Sequence, residues 1–409
     1  MSQAQPVPCA TKNLFTEGLL QNPYPIYRRF LEEGPIHYVD YGSGMWAVFS
    51  HAGCSTSIRE PLLSSKRTAA LLRDLPAEKK TEFAELARMI GLWMLFIDAP
   101  EHTRLRKLMN KGFAPAVVEA LRPRIGDVVD QMLVPLRRTG KADLLKEIAY
   151  PLPARVIAKM LGLPDTMSDY LVEWSDAIAT LFGNPHRTIE HYEAAQQAVL
   201  ALTKFFREAV AQRRRQRGND LISLLLEIEE DGDVLTDEEL YAQCVMLLFG
   251  GHETTRNLIG NGLYTLLQHP EQMAELQENP SLIRTAVEEL LRYESPVQYF
   301  HRVAREELEI CGVRLRQGQP ILFMIGAANR DRHQFADPDR LDLKRTNNSH
   351  LAFGAGGHFC IGNQLARLEG QVAILKILQQ FPGVRLKQPL PQWAGNFALR
   401  GLQALPVLL

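Results

Sequence analysis

From Thr236 to Gln268 the chain carries one unbroken apolar helical pattern, and no other stretch restricts the possible folds as strongly. Thr236-Asp237-Glu238-Glu239 reads as a capping box, in which the Thr hydroxyl accepts from the third amide on and Glu239 reaches back. His269-Pro270 stops the pattern, because proline cannot donate to the helical ladder. At about 1.5 Å per residue the helix approaches 50 Å, enough to cross a whole domain. Its middle reads Gly250-Gly251-His252-Glu253-Thr254-Thr255. Each interior glycine costs roughly 1 kcal/mol against alanine. Their use would be to bring the helix backbone onto a ligand face and let it bulge there. The acid Glu253 beside the alcohol Thr254 could deliver protons through a hydroxyl and water from a group that reloads from solvent. A kinked core helix with a polar stripe is the alternative reading of these residues alone.

Helical patterns dominate residues 77–380, and strand-like runs sit at 36–50, as a hairpin, and at 308–325, with Gly312 and Gly318 as turn signals. The expected architecture is mainly α with a minor β region. No linker, repeat or low-complexity tract interrupts the chain, so residues 1–409 are expected to form one domain, with 1–20 a loosely ordered N-terminal segment. A hydrophobic share of 46% fits a sizeable core, and a net charge of -1 leaves no global field to attract nucleic acid or anionic lipid. No run near the start is apolar enough for a membrane span or built like a secretory signal. The five cysteines form no CxxC pair, which points away from zinc or a disulfide framework and toward a reducing cytoplasm. Arg213-Arg214-Arg215-Gln216-Arg217 is the one dense basic run and reads as a solvated helix end, since no nucleic-acid recognition motif accompanies it.

The second informative segment is Phe353-Gly354-Ala355-Gly356-Gly357-His358-Phe359-Cys360-Ile361-Gly362, followed by a helical pattern from Asn363. Its glycines allow positive φ and close approach to a flat ligand. Cys360 stands just before a helix N-terminus, where free amides and the dipole favour a thiolate. By itself this is also compatible with a small buried cysteine beside a tight turn. The segment resembles the haem-binding loop of the cytochrome P-450 family at its Phe, two Gly, His, Cys and final Gly. The resemblance runs from Asn22-Pro23-Tyr24-Pro25 to Arg400-Gly401-Leu402. It implies the cytochrome P-450 fold of the soluble bacterial type and haem b, iron protoporphyrin IX. Cys360 would be the axial ligand of the iron, with Phe353 and Gly354 in the cradle. A thiolate there favours O–O cleavage.

The same resemblance makes the central helix the oxygen-binding helix, with Gly250 and Gly251 over the haem, Glu253 as the acid and Thr254 as the alcohol. Related members more often carry Ala at position 250, so extra room over the iron is expected. His252 is expected to support the helix by a hydrogen bond. Glu289-Leu290-Leu291-Arg292 matches the ExxR motif, and Pro338-Asp339-Arg340-Leu341 matches the segment that completes it, naming Arg340 as third member of a buried ion cluster. Leu341 replaces the more usual Phe. The haem propionates would be met by His102 and Arg106, four apart on one helix face, and by Arg302 and His358.

Position alone suggests Leu92, Trp93, Phe249, Val297, Phe300 and Phe397 as substrate-pocket residues, an apolar lining suited to a lipophilic small molecule. The implied activity is insertion of one oxygen atom from O2, by hydroxylation or epoxidation, as such enzymes do in secondary metabolism. No flavin or iron–sulfur motif is present, so electrons would come from a separate ferredoxin and its reductase. Arg104, Lys107, Lys111 and Arg367 would offer positive charge for docking. A monomer is expected, with neither nucleic acid nor a membrane anchor. A peroxide-driven fatty-acid hydroxylase and a non-enzymatic haem sensor or carrier are the competing readings, and the Glu253–Thr254 pair argues against both.

Overall fold

A helix that is apolar on every side must be covered on every side. In the computed structural model, which describes residues 11–41, 44–73, 75–164, 168–184, 187–228, 234–387 and 392–409, the helix Asp237–Gln268 is that central rod. The helices Pro151–Met160, Ser168–Gly183, Ile189–Arg215, Ile283–Tyr293 and Asn363–Gln380 pack around it. Its capping box forms as the sequence implies: the Glu239 amide donates to Thr236 Oγ1 at 3.3 Å, and the Thr236 amide donates to Glu239 Oε2 at 2.9 Å. The expected bulge does not form. Helix geometry runs unbroken through Gly250 and Gly251, because the turns on both sides are clamped in the core.

The hairpin forms from Ile36–Val39 and Met45–Val48, antiparallel, with Ile36 opposite Val48. Leu308–Ile310 and Val313–Leu315 make the second, turning through Cys311 and Gly312 at φ 50° and 79°. Local signals did not reveal the pairing between these regions. Pro320–Phe323 runs parallel to Met45–Val48, and Phe300–Ala304 lies between Pro320–Phe323 and Leu63–Ser64 in one five-stranded sheet. That sheet sets Arg302 beside Ser64 and Ser65, more than two hundred residues earlier.

The expected looseness of residues 1–20 is corrected for 11–20. The amides of Leu14 and Phe15 donate to Asp40 at 2.7 and 3.3 Å, and Leu14, Phe15 and Leu19 are buried. Arg400 reaches back to the Leu20 carbonyl at 2.6 Å. Three apolar side chains in this segment need cover, and the hairpin supplies it. Residues 1–10, Cys9 among them, lie outside the described residues. Cys54, Cys244, Cys311 and Cys360 are free thiols. The basic run is a solvated helix end as expected: Arg214, Arg215 and Arg217 are exposed, and Arg213 alone is half-buried, paired with Asp220 at 2.5 Å. Among the described residues no helix is long and apolar enough to cross a membrane.

Candidate functional site

Residues 353–362 close on themselves before the helix Asn363–Gln380 begins. The Cys360 amide donates to the Phe353 carbonyl at 2.9 Å, and the Asn363 side chain donates to the Cys360 carbonyl at 2.7 Å. Gly354 and Gly356 take φ of 72° and 70°, where a side chain would strain the backbone. Phe353 is buried under the Arg367 guanidinium, 4.4 Å from its ring, and Arg367 is held by Glu288 at 2.6 Å. Burial raises the Cys360 thiol, while the Gly362 amide, Arg106 and Arg367 pull it down. Cys360 is half-buried, and one amide and two cations act on its sulfur in the sense that favours the anion.

On the long helix, Gly250 is exposed although the nine residues before it are buried, and a Cβ added there would meet nothing within 4 Å. One turn later Thr254 is half-exposed, and its hydroxyl donates to the Gly250 carbonyl at 2.7 Å. The helix therefore has one bare face over open space. Gly251 faces the packed side instead, where a Cβ would lie 3.8 Å from Ile157. Beside the bare face, Phe249 meets Trp93 and Phe182 at centroid distances of 5.6 and 5.8 Å.

Glu253 turns away from Thr254, as adjacent helical residues must. It is buried and accepts from Arg256 at 2.6 Å, while Arg256 also holds Asp176 at 2.9 Å. Burial and the neighbouring Asp176 raise the Glu253 carboxyl to about 7 against the opposing pull of Arg256. Asp176, 39% exposed, links this buried acid to solvent. Asp176, His252 and Glu253 have ligand atoms within 4.8 Å of one another, but Arg256 holds both carboxylates, which makes the group an ion cluster. His252 supports the helix as expected, through a contact of 3.1 Å to the Tyr150 carbonyl. Arg256 was visible in the sequence as an i,i+3 partner of Glu253; Asp176 left no signal.

His102 and Arg106 on the helix Glu101–Asn110, Arg302 on its strand and His358 in the cysteine loop converge as the sequence implied. The His102 and His358 rings lie 3.9 Å apart, and Ser65 Oγ meets His358 Nε2 at 3.1 Å. Burial, then Arg302, His102, Arg67 and Arg106, push His358 down to about 2. Burial also pulls Arg302 down to about 10. Among the described residues neither Arg106 nor Arg302 has a carboxylate partner, and His102 Nε2 is buried without any partner. Cations so placed cost several kcal/mol unless an anion joins them. Arg67, which the sequence reading missed, belongs to the same group.

The ion cluster departs from expectation in one member. Arg292 grips Glu289 twice at 2.8 Å, both fully buried. The third cation is Arg345, at 3.1 Å from Glu289 Oε2, and Asn348 adds a donor at 3.1 Å. Arg340 is 67% exposed and bonds Asp342, contributing to the cluster only its carbonyl, which accepts from Arg292 at 3.3 Å. The turn through Asp342, whose amide donates to Glu289 at 3.0 Å, carries the later arginine inward.

Of the pocket residues, Trp93 and Phe249 stand beside the bare helix face, and Leu92 is tied through its carbonyl to Gln243, earlier on the long helix, at 2.7 Å. Val297 bridges to Leu399. The Phe300 ring lies against Gly354 of the cysteine loop, and the partly buried Phe397 packs on Phe15 at 5.5 Å. Of the cations expected to meet an electron carrier, Arg104 is paired with Glu239 and Arg367 with Glu288; Lys107 and Lys111 are exposed.

A flat group bearing two carboxylates answers both the empty space beside Gly250 and the unpaired cations, and with a cysteine at hand it is a thiolate-bound haem; the fold and site define a haem-thiolate oxygenase. The chain belongs to the cytochrome P450 family, whose model, described as Cytochrome P450, matches residues 77–392. It is 38% identical over 399 residues to the biotin biosynthesis cytochrome P450 of Bacillus subtilis (strain 168), covering 95% of this chain and 96% of that one. It is 37% identical over 394 residues to the cytochrome P450 monooxygenase PikC of Streptomyces venezuelae, covering 94% and 91%. The crystal structure of P450BioI with hexadec-9Z-enoic acid ligated acyl carrier protein superposes with a TM-score of 0.89 at 36% identity, covering 95% of this chain and 98% of that one. The protein is thus an oxidoreductase of the monooxygenase type that binds thiolate-ligated haem.

Proposed function

We propose that this chain inserts one oxygen atom from O2 into a lipophilic small molecule, by hydroxylation or epoxidation, with electrons from a separate ferredoxin and its reductase. The observation that carries the reading is the bare helix face at Gly250, with Thr254 on it and Glu253 behind it. Cys360 would ligate the iron, and His102, Arg106, Arg302 and His358 would hold the haem carboxylates. When bound, the haem supplies oxygen-activating redox chemistry, which its thiolate tunes toward O–O cleavage.

The chain's own side chains then have separate tasks. The Thr254 hydroxyl, donating to the Gly250 carbonyl, positions a proton at the bare face. Glu253, raised to about 7, exchanges a proton readily near neutral pH, and Asp176 can reload it from solvent. The Trp93, Phe182 and Phe249 rings keep water out and favour apolar substrates. The acyl chain bound to the P450BioI relative supports a lipophilic substrate. Lys107 and Lys111 offer charge to an acidic electron carrier.

Reconstitution with a ferredoxin, its reductase and heavy-isotope O2 tests the reading. One labelled oxygen atom per product is expected, with formation dependent on the ferredoxin. Product formed from peroxide alone at the same rate, or unlabelled product, would overturn it.

A further inference from the structure

We infer that Arg67 anchors the head group of the substrate, so that the enzyme takes an amphiphile with one carboxylate whose chain lies along the Phe96, Phe182, Trp93 and Phe249 rings. The inference deepens the monooxygenase reading and rests on it.

The Arg67 guanidinium lies over the Phe96 ring, 4.5 Å from its centroid. Phe96 stacks on Phe182 at 5.4 Å and 22°, and on Trp93 at 6.1 Å and 28°. Those two rings meet Phe249, whose neighbour Gly250 borders the open space. One aromatic wall thus joins a positive charge at one end to the bare helix face at the other.

That charge lacks a partner. Among the described residues Arg67 makes no ion pair, and its one hydrogen bond, to the Ser65 carbonyl, is long at 3.4 Å. Burial pulls it down to about 9. The carboxylate acting on both Arg67 and Arg302 is Asp98, which is already bonded to Ser64 Oγ at 2.5 Å and the Ser65 amide at 2.7 Å.

A second donor stands beside it. His301 Nε2 is buried without a partner, and burial together with Arg67, Arg302, Arg187 and Arg73 holds its imidazole neutral, near 3. A carboxylate between Arg67 and His301 would meet both. Phe96 and Phe182 separate Arg67 from Phe249, so the carbon presented at the bare face lies many bonds from the carboxyl, and oxidation falls on the middle or far end of the chain.

The test uses the haem-loaded enzyme and compares octanoic to octadecanoic acids with their methyl esters, reading dissociation constants from the haem spin-state shift and from equilibrium dialysis. The best acid is expected to bind about tenfold or more tightly than its ester. Arg67→Gln should bring acid and ester to parity, and Arg67→Lys should keep part of the preference. Equal binding of every acid and its ester by the unmodified enzyme, or a preference that survives Arg67→Gln, overturns the proposal. Loss of haem from Arg67→Gln with acid and ester weakened alike also overturns it, by making Arg67 a propionate ligand. Failure of the monooxygenase reading would show separately, as an unmodified protein whose reduced carbon monoxide complex lacks the thiolate signature.

Discussion

The Nε of Arg345 lies 3.1 Å from the Glu289 carboxylate, a side chain with no solvent exposure. Breaking that contact strands a buried charge, so Arg345→Gln should cost about 3–5 kcal/mol and release haem. Arg340→Gln alters an exposed pair and should stay within about 0.5 kcal/mol of the parent. Urea unfolding and haem content of the two variants decide between them. Equal losses would return Arg340 to the cluster.

Burial raises the Cys360 thiol, and the Gly362 amide, Arg106 and Arg367 act against that rise. Cys360→His should abolish the carbon monoxide spectrum diagnostic of a sulfur ligand in the reduced protein. A normal spectrum in that variant would show that another residue holds the iron.

The Thr254 hydroxyl donates a hydrogen bond to the Gly250 carbonyl. Thr254→Ala removes the hydroxyl from the bare face but leaves the haem cradle untouched. Product formation should fall by about 10²-fold, while electrons are still consumed and peroxide accumulates. Unchanged coupling of electrons to product would remove Thr254 from proton delivery.

Glu253 is raised from its ordinary 4.5 to about 7, mainly by burial. Between those values the folded protein binds more proton than the unfolded chain, so this carboxyl's stabilising contribution is present at low pH and lost as pH rises through about 7. The slope is at most ~1.4 kcal/mol per pH unit. Glu253→Gln should flatten that loss: relative to the parent, its Tm should improve as pH goes from acid to neutral. A difference in Tm that does not change with pH would mean that the carboxyl is not raised.

Much of this site is readable along the chain because the signals are local. The capping box at Thr236, the glycines of the cysteine loop and the i,i+3 spacing of Glu289 and Arg292 each depend on residues a turn or so apart. The i,i+3 spacing of Glu253 and Arg256 was equally open to inspection. Burial of residues 11–20 was not, because the cover for Leu14 comes from the hairpin.

The sequence by itself determined the long central helix, the cysteine placed before a second helix, and the set of cations available to an acidic cofactor. Only the tertiary structure decided which arginine closes the cluster on Glu289, which carboxylate stands behind Glu253, and that Arg67 faces the interior without a carboxylate of its own. The reason is physical: helical spacing and capping are fixed by neighbours within a few residues. Charge pairing follows the path of the chain, which sets Ser65 beside His358 and Asp176 beside Arg256 across long separations.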